Sequence, residues 1–594
     1  MSCTEPQYTY RTVRVLQGTQ CTNGPARQVE EVAAIPRGTC PGRFQLAHPG
    51  SHAIVPDIGI RPTDRGIRFT FYVQPWLTEC GHIQSLASTL DPSSKSGIAI
   101  ALDEYGAITL LVGQGSQIQQ IKSPLSPAKR RWSKVCLTAC HDSLNVHLAA
   151  LADTLEPAES PSAFEATLDA PILLESTQLL LAACLTAELV DGVQRVLPSC
   201  HFNGRLDTVT IDAIGAQQRT LACYDFSVGI SSDYITDASG NNRTGTLINA
   251  PSRAVKGHAW DGSETDWTKD SRGYGAIHFH EDDLDDANWD TDFSITIPNH
   301  TRSGVYVVEI ESTTATLSDQ VVFFVRPTSQ NRPPVALILS TFTYLAYANE
   351  HQFDMDSPSR AEVPGGIESL EFYEDENFAK QNRRRDLGQS CYDVHKDLSA
   401  VMFSSAKRPL LNCRPDYINW TGHRPRELSA ELLLQGFLER LNVPYDIVTD
   451  HDLHTDGVRA LTGYSTIITG CHPEYHTLNS YAAYEDFARR GGNIMYLGGN
   501  GFYWSIATDE ANPHRIEVRR GGQGVRTCYQ EPGERVHAFD GRVGGLWRDR
   551  GKAANYLVGI GCCGEGAGPG KLYSATRKTF LGNLTLVIKE FHTA

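Results

Sequence analysis

The stretch from Ser465 to Trp504, STIITGCHPEYHTLNSYAAYEDFARRGGNIMYLGGNGFYW, decides the fold of the C-terminal half of the chain. Thr466-Ile467-Ile468-Thr469 and Asn493-Ile494-Met495-Tyr496-Leu497 are short apolar runs without alternation, the pattern of strands buried on both faces. Between them, Tyr481 to Arg490 carries apolar residues at helical spacing until Gly491-Gly492 stops it. Strand, helix, strand in this order predicts parallel pairing, because parallel neighbours need a crossover connection. In an open parallel sheet the ligand crevice lies outside the carboxyl ends of the strands. His472, Glu474 and Tyr475 follow the first of these strands and Asn500 follows the second, so one edge of one sheet is expected to carry an active site.

The same pattern extends upstream. Asn331-Arg332-Pro333-Pro334 reads as a linker, since paired prolines forbid helix and interrupt sheet pairing. Val335 to Leu339 is a buried-strand run, Glu427 to Leu441 a helix with Leu428, Leu432, Phe437, Leu438 and Leu441 on its apolar face, and Tyr445 to Val448 a further strand leading into TDHDLH. These elements predict a doubly wound α/β domain over 331–560.

Before it the chain is β-rich. Runs at Phe69 to Val73, Gly97 to Leu102, Ala107 to Val112, Lys134 to Thr138, Leu144 to Ala149 and Leu206 to Ile211 are punctuated by turn residues, which reads as a two-sheet antiparallel sandwich over 61–228. FTFYVQPW and HFNGRLDTVTI resemble strands of laminin-G or concanavalin-like sandwiches, for which a scaffold or interface role is the expectation. An N-terminal arm (1–60), a β-rich connecting region (229–330) and a divergent or truncated tail (561–594) complete the division. Within the connecting region AIHFHEDDLDDANWD places His278 and His280 on one face of a strand, with Glu281, Asp282 and Asp283 following. A metal site and an acidic, hydrogen-bonded interdomain segment are both readings of it, the second the simpler.

Bulk properties narrow the function. A chain of 594 residues is too long for one hydrophobic core and implies about two to four domains. A formal charge of -16, with no basic run longer than Arg383-Arg384-Arg385, argues against nucleic-acid binding. The first residues lack a signal-peptide pattern, and the longest apolar stretch, Gln178 to Val190, is interrupted by Thr186 and Glu188. Fifteen cysteines without regular spacing, including Cys562-Cys563, read as reduced and mostly buried thiols of a cytoplasmic protein.

TYLAYAN, the later Tyr392 in GQSCYDVH, VTDHDL, the G-x-H-x-E-Y turn, RRGGN, GGN-x-x-YW and GGLWR occur in order over roughly residues 60 to 555. Together they resemble the large subunit of N,N-dimethylformamidase and its relatives. The resemblance implies a glutamine-amidotransferase-like domain and a mononuclear ferric iron held by two tyrosinates and one glutamate. Carried onto this chain, those are Tyr347, Tyr392 and Glu474, with Tyr344 competing for the first position. Phenolate and carboxylate are hard oxygen donors suited to a hard ferric ion, and tyrosines with an ordinary pKa of about 10 need such a cation beside them to ionise at neutral pH.

The expected reaction is hydrolysis of a small N-alkylated amide such as N,N-dimethylformamide through a metal-activated water, with His472 as proton carrier or orienting group and Asn500 as a hydrogen-bond donor. The aromatic run Phe502-Tyr503-Trp504 suits a small apolar amide. A small companion subunit and a higher assembly are also implied. Two other readings stand: a cysteine amidase using Cys471, although the turn lacks the glycine expected after such a nucleophile, and a carbohydrate- or partner-binding protein with a decayed α/β domain. After GGLWR the family continues for a considerable length, whereas this sequence departs from its pattern.

Overall fold

A computed structural model describes residues 1–18, 24–153, 155–190, 193–215, 218–314, 317–328, 331–351, 376–419, 424–522 and 530–562, and the strand pair Tyr573–Thr579 and Gly582–Ile588. The rest of the 561–594 tail lies outside the described residues.

Four strands, Val335–Leu339, Tyr445–Thr449, Thr466–Thr469 and Asn493–Met495, pair in parallel, Tyr445–Thr449 and Thr466–Thr469 flanking Val335–Leu339 on opposite sides. The chain therefore winds one way and then the other, and the reversal falls between Val335–Leu339 and Thr466–Thr469, the position where open sheets form their crevice. Alternating side chains cover both faces. Ala336 and Ile338 pack with Leu453, Tyr481, Tyr484 and Phe487 on one side. Leu337 and Leu339 pack with Leu428, Leu432 and Leu438 on the other. Each fully buried aliphatic side chain here contributes roughly 1.5–3 kcal/mol.

Helix ends follow local chemistry. Thr449 caps Asp450–Asp456 in a reciprocal capping box with Asp452. The helix expected from Tyr481 starts earlier, at Leu478, because the Thr477 hydroxyl accepts the Ser480 N–H at 3.2 Å. Helix Leu428–Arg440 departs from the expected stripe: Phe437 and Leu441 are 48% and 58% exposed, whereas Glu431 and Gln435 are buried. Its polar side is covered by the N-terminal strand Gln7–Gln17, whose Val15 carbonyl accepts from Gln435. That strand pairs with Gly304–Ser312 in a separate sheet.

The β-rich half is a sandwich of two eight-stranded antiparallel sheets. In one, Gly66–Pro75 lies between Ser133–Cys140 and Gly204–Ile214, while Ala276–Phe279 pairs with Gly204–Ile214. In the other, Gln84–Ser88, Ile98–Leu102 and Ile108–Gly113 run consecutively. Phe69, Phe71, Val73, Leu137 and Ile211 meet Ile98, Ile100, Leu102 and Leu110 in one core, the inward half of a period-two pattern. Among the described residues the cysteines are free, but only Cys40, Cys184 and Cys391 are fully buried and the rest are half-buried on strand and loop surfaces, which corrects the expectation of mostly buried thiols. No described helix is long and apolar enough to cross a membrane.

In a short mixed sheet, Phe403–Ser405, Arg515–Val518, Trp504–Thr508 and Tyr475–His476, the side chains of Tyr475, Trp504, Ile506, Ile516 and Val518 pack in one cluster with Tyr347 and Tyr392.

Glu431 is the one acid on the buried face of helix Leu428–Arg440; its Oε2 accepts from the Tyr344 hydroxyl and, at 3.2 Å, from the Ser340 N–H. Burial pushes its carboxyl up from 4.5 to about 7, despite those hydrogen bonds. The folded state therefore holds the proton at pH values where the unfolded chain has lost it, so this group's contribution is most favourable below about 4.5 and weakens as pH rises toward 7. Glu431→Gln keeps an acceptor for both donors. Thermal melting against pH is expected to show a shallower loss of stability between those limits in the variant; identical profiles would contradict it.

Candidate functional site

Each element ending at the crevice delivers one side chain. Val335–Leu339 runs into helix Thr341–Ala346, and Tyr347 is the residue that closes that helix, its N–H donating to the Thr343 carbonyl. The loop bearing Tyr392 is tied down twice: the Cys391 N–H donates to the Ala346 carbonyl at 2.9 Å, and the Asp393 carboxylate accepts the Ser390 and His351 N–H groups at 2.8 and 2.9 Å. Glu474 follows Thr466–Thr469; its N–H donates to Thr343 Oγ1 at 3.2 Å and its carbonyl accepts the Tyr503 and Trp504 N–H groups at 3.0 Å. Thr343 therefore holds the turn against the helix that carries Tyr347, and its own hydroxyl donates to the His472 carbonyl at 2.8 Å.

The three side chains converge. The Tyr347 hydroxyl lies 2.6 Å from that of Tyr392 and 3.0 Å from Glu474 Oε2, and the Tyr392 hydroxyl lies 3.2 Å from the same oxygen. All three are buried. Tyr344 is directed elsewhere, to Glu431, so the geometry places Tyr347 and not Tyr344 in the cluster. Burial, reinforced by the Glu474 charge, pushes both phenols well above their ordinary range. Burial also works against ionised Glu474, but the charge and hydrogen bond of His472, with the Tyr347 hydroxyl, more than offset it and hold the carboxyl below its usual range.

This donor set fits a hard cation. Oxygens about 2.0–2.1 Å from one ion and at right angles to each other stand about 2.9 Å apart, close to the separations found here. Two phenols and a carboxylate in a dry site are also groups that only a strongly charged ion would ionise together.

Around the cluster, His472 bridges two acids, with Nε2 3.2 Å from Glu474 Oε2 and Nδ1 3.1 Å from Glu427 Oε1. Burial opposes its charge, yet Glu427 and Glu474 push it up to about 10. Asn500 is half-buried on the loop between Gly499, whose N–H donates to the Cys471 carbonyl, and Gly501; among the described residues the side-chain partners of Glu474 are Tyr347, Tyr392 and His472. Cys471 Sγ stands 3.8 Å from the Glu427 carbonyl, and burial, with the Glu431 and Glu427 charges, pushes its thiol well up, a poor setting for a thiolate. Of the aromatic run, Phe502 does not line the crevice: it stacks on His476 at 4.6 Å and fills the core between the parallel sheet and its helix.

Beside Tyr475, the last residue of the G-x-H-x-E-Y turn, stand Arg520, Arg426 and Glu427, which carry no local motif. The Tyr475 hydroxyl lies 2.6 Å from that of Tyr392 and receives Arg520 Nη2 at 2.6 Å. The Arg520 guanidinium stands 4.5 Å from the Tyr392 ring centroid and donates to the Cys391 carbonyl. Its neighbour Arg519 reaches the other way, donating to the Arg253 and Ala254 carbonyls of the sandwich at 2.6 and 2.9 Å. Arg426 lies over the Tyr347 ring at 4.6 Å and pairs with Glu427 at 3.0 Å. Glu427 adopts φ 52°, ψ -124°, a strained backbone for a non-glycine residue. The charged run Arg424-Pro425-Arg426-Glu427 ahead of a helix and the adjacent Arg519-Arg520 within a strand-like stretch were the available signals.

The model of the family described as "N,N-dimethylformamidase beta subunit-like, C-terminal" matches residues 252–587. The N,N-dimethylformamidase beta subunit of Paracoccus aminophilus is 32% identical, over 93% of this chain and 75% of that protein. The N,N-dimethylformamidase beta subunit of an Alcaligenes species is 31% identical, over 92% of this chain and 75% of that protein. Among solved structures, the LG1-3 region of the laminin alpha2 chain aligns with a TM-score of 0.22 and 11% identity, over 48% of this chain and 57% of that one. With the G-x-H-x-E-Y turn, both tyrosine motifs and the GGLWR segment inside an alignment of this extent, the chain belongs to the N,N-dimethylformamidase beta subunit family.

Proposed function

We propose that the protein is the catalytic chain of an amide hydrolase that cleaves a small N-alkylated amide, N,N-dimethylformamide being the type substrate, with water to formate and dimethylamine. The observation that carries this reading is the meeting of the Tyr347, Tyr392 and Glu474 oxygens in one buried cluster at the reversal of the parallel sheet. A ferric ion held by those three groups would supply Lewis acidity toward a carbonyl oxygen and toward water.

The chain's own residues supply the rest. His472 is gripped through both ring nitrogens, so its Nε2 can carry a proton at the face of Glu474 while Glu427 steadies the resulting charge and fixes the ring plane. That position suits delivery of a proton to the departing amine nitrogen. Arg520, by holding the Tyr475 hydroxyl and covering the Tyr392 ring, keeps Tyr392 oriented and places positive charge beside its oxygen. Arg426 does the same over Tyr347. Burial of all three oxygens excludes bulk water and strengthens each of these interactions.

An amidotransferase-like ancestry for the parallel sheet, a laminin-G-like one for the sandwich, a companion subunit such as the relatives' naming as beta subunits implies, assembly into an oligomer and a cytoplasmic location belong to the same reading. A thiol mechanism is disfavoured by the raised Cys471 thiol.

Purified protein is expected to hold about one iron per chain with a tyrosinate-to-ferric absorption band, and Tyr392→Phe to lose the band together with activity on dimethylformamide by more than the ~10²-fold that loss of an outer partner typically costs. Colourless, iron-free parent protein, or a colourless but fully active Tyr392→Phe, would refute the reading. Cys471→Ser is expected to stay within a few-fold of the parent, on the order of a surface change; abolished activity would restore the thiol mechanism.

Glu427→Gln tests the grip on His472. It is expected to retain iron and absorption band while kcat falls roughly 10–100-fold with KM little changed. Unchanged kcat would show that Glu427 serves only the fold.

A further inference from the structure

The contacts behind Tyr347 close into a circuit. The Tyr347 hydroxyl donates to Glu474 Oε2, the same oxygen faces His472 Nε2, and His472 Nδ1 faces Glu427 Oε1. Glu427 Oε1 also pairs with Arg426 Nε at 3.0 Å, and Arg426 Nη1 stands 3.6 Å from Glu350 Oε1. Glu350 lies in the turn that follows Tyr347, its N–H donating to the Tyr347 carbonyl at 3.2 Å. Acids and bases alternate along this path, which ends on the residue where it began.

We propose, on the iron-site reading given above, that Glu350 is a positioning residue: it holds the Arg426 guanidinium over the Tyr347 ring and so sets how strongly the Tyr347 oxygen donates to the metal. Arg426 is half-buried and has a long side chain, so its place 4.6 Å from the ring centroid depends on what anchors it. Glu427 is an anchor shared with His472, whereas the cation that Glu350 faces among the described residues is Arg426. Glu350 is itself fixed. Its Oε1 accepts Asn419 Nδ2 at 3.0 Å, and its carbonyl accepts Gln381 Nε2.

The remaining oxygens of the two acids are also informative. Glu350 Oε2 and Glu427 Oε2 are buried and have no hydrogen-bond partner among the described residues. Leaving a buried acceptor unmatched costs stability, so the fold gains little from two acids here, and what both grip in common is Arg426. A guanidinium over the ring favours phenolate over phenol and lowers the energy of the phenolate electrons. Moving it away makes Tyr347 the stronger donor, and a tyrosinate-to-ferric absorption band then falls at longer wavelength.

The test compares the full-length parent with Glu350→Gln, Arg426→Gln and the double variant. Glu350→Gln keeps an acceptor for Asn419 but loses the ion pair. It is expected to retain iron at the parent's level, with the band moved to longer wavelength. Because Glu350 acts through Arg426, the double variant is expected to shift no further than Arg426→Gln alone. A band that stays in place or moves to shorter wavelength in Glu350→Gln, or shifts that add in the double variant, would overturn the proposal. Should Glu350→Gln not fold, Glu350→Asp, which withdraws the carboxylate by one methylene, is read in the same way. A crystal structure of metal-free Glu350→Gln supplies a readout that needs no iron: the guanidinium is expected to leave the Tyr347 ring, and one still seated over it would equally overturn the proposal. Failure of the iron reading is a different result, absence of the band from the parent chain.

Discussion

Burying three acidic oxygens against each other is the constraint around which this molecule is arranged. Two phenols and a carboxylate within hydrogen-bonding distance repel as soon as more than one ionises, and their burial removes them from the screening of bulk solvent. The surroundings answer with positive charge from three directions: His472 at Glu474, Arg426 over Tyr347 and Arg520 over Tyr392. Each cation is in turn restrained by a further group, Glu427 for His472 and Arg426, and Tyr475 with the Cys391 carbonyl for Arg520.

That arrangement needs distant parts of the chain to arrive together, and the parallel sheet accomplishes it. Its winding reversal brings the ends of Val335–Leu339 and Thr466–Thr469 side by side, and Thr343 joins the two turns through hydrogen bonds to both. The remaining phenol comes on a loop with no regular structure, so its position depends on Asp393, the Ala346 carbonyl and, at the loop's far end, the contact of His395 with Asp282.

Much of this was legible in the residues. Val335–Leu339 and Thr466–Thr469 appear where their apolar runs placed them, since strands buried on both faces leave a continuous signature. Glu474, Tyr347 and Tyr392 could be selected through their motifs, and they do converge. What escaped depended on tertiary context. Phe437 and Leu441 fit a helical stripe, but a strand from the other end of the chain covers the polar side of that helix instead. Phe502, Tyr503 and Trp504 are consecutive, but Phe502 sits in a turn at φ 52° before strand Trp504–Thr508 begins, so its side chain leaves the run and enters the core beside His476. Tyr475 was marked by its place in the G-x-H-x-E-Y turn, whereas Arg520, Arg426 and Glu427 are charged residues that meet Tyr475, Tyr347 and His472 far along the chain, and no periodicity records such pairings.

The adjacent arginines Arg519 and Arg520 couple the two halves of the molecule. One guanidinium is bonded to carbonyls of the sandwich and the next to the Tyr475 hydroxyl and the Cys391 carbonyl, both almost fully buried, immediately after strand Arg515–Val518 ends. A shift of the sandwich is therefore transmitted within one peptide unit to the ring of Tyr392. In evolutionary terms the sandwich is not an exchangeable accessory: recombination that swapped it for a homologous module would have to preserve the backbone carbonyls of Arg253 and Ala254 in place, so the two halves are constrained to diversify as one unit.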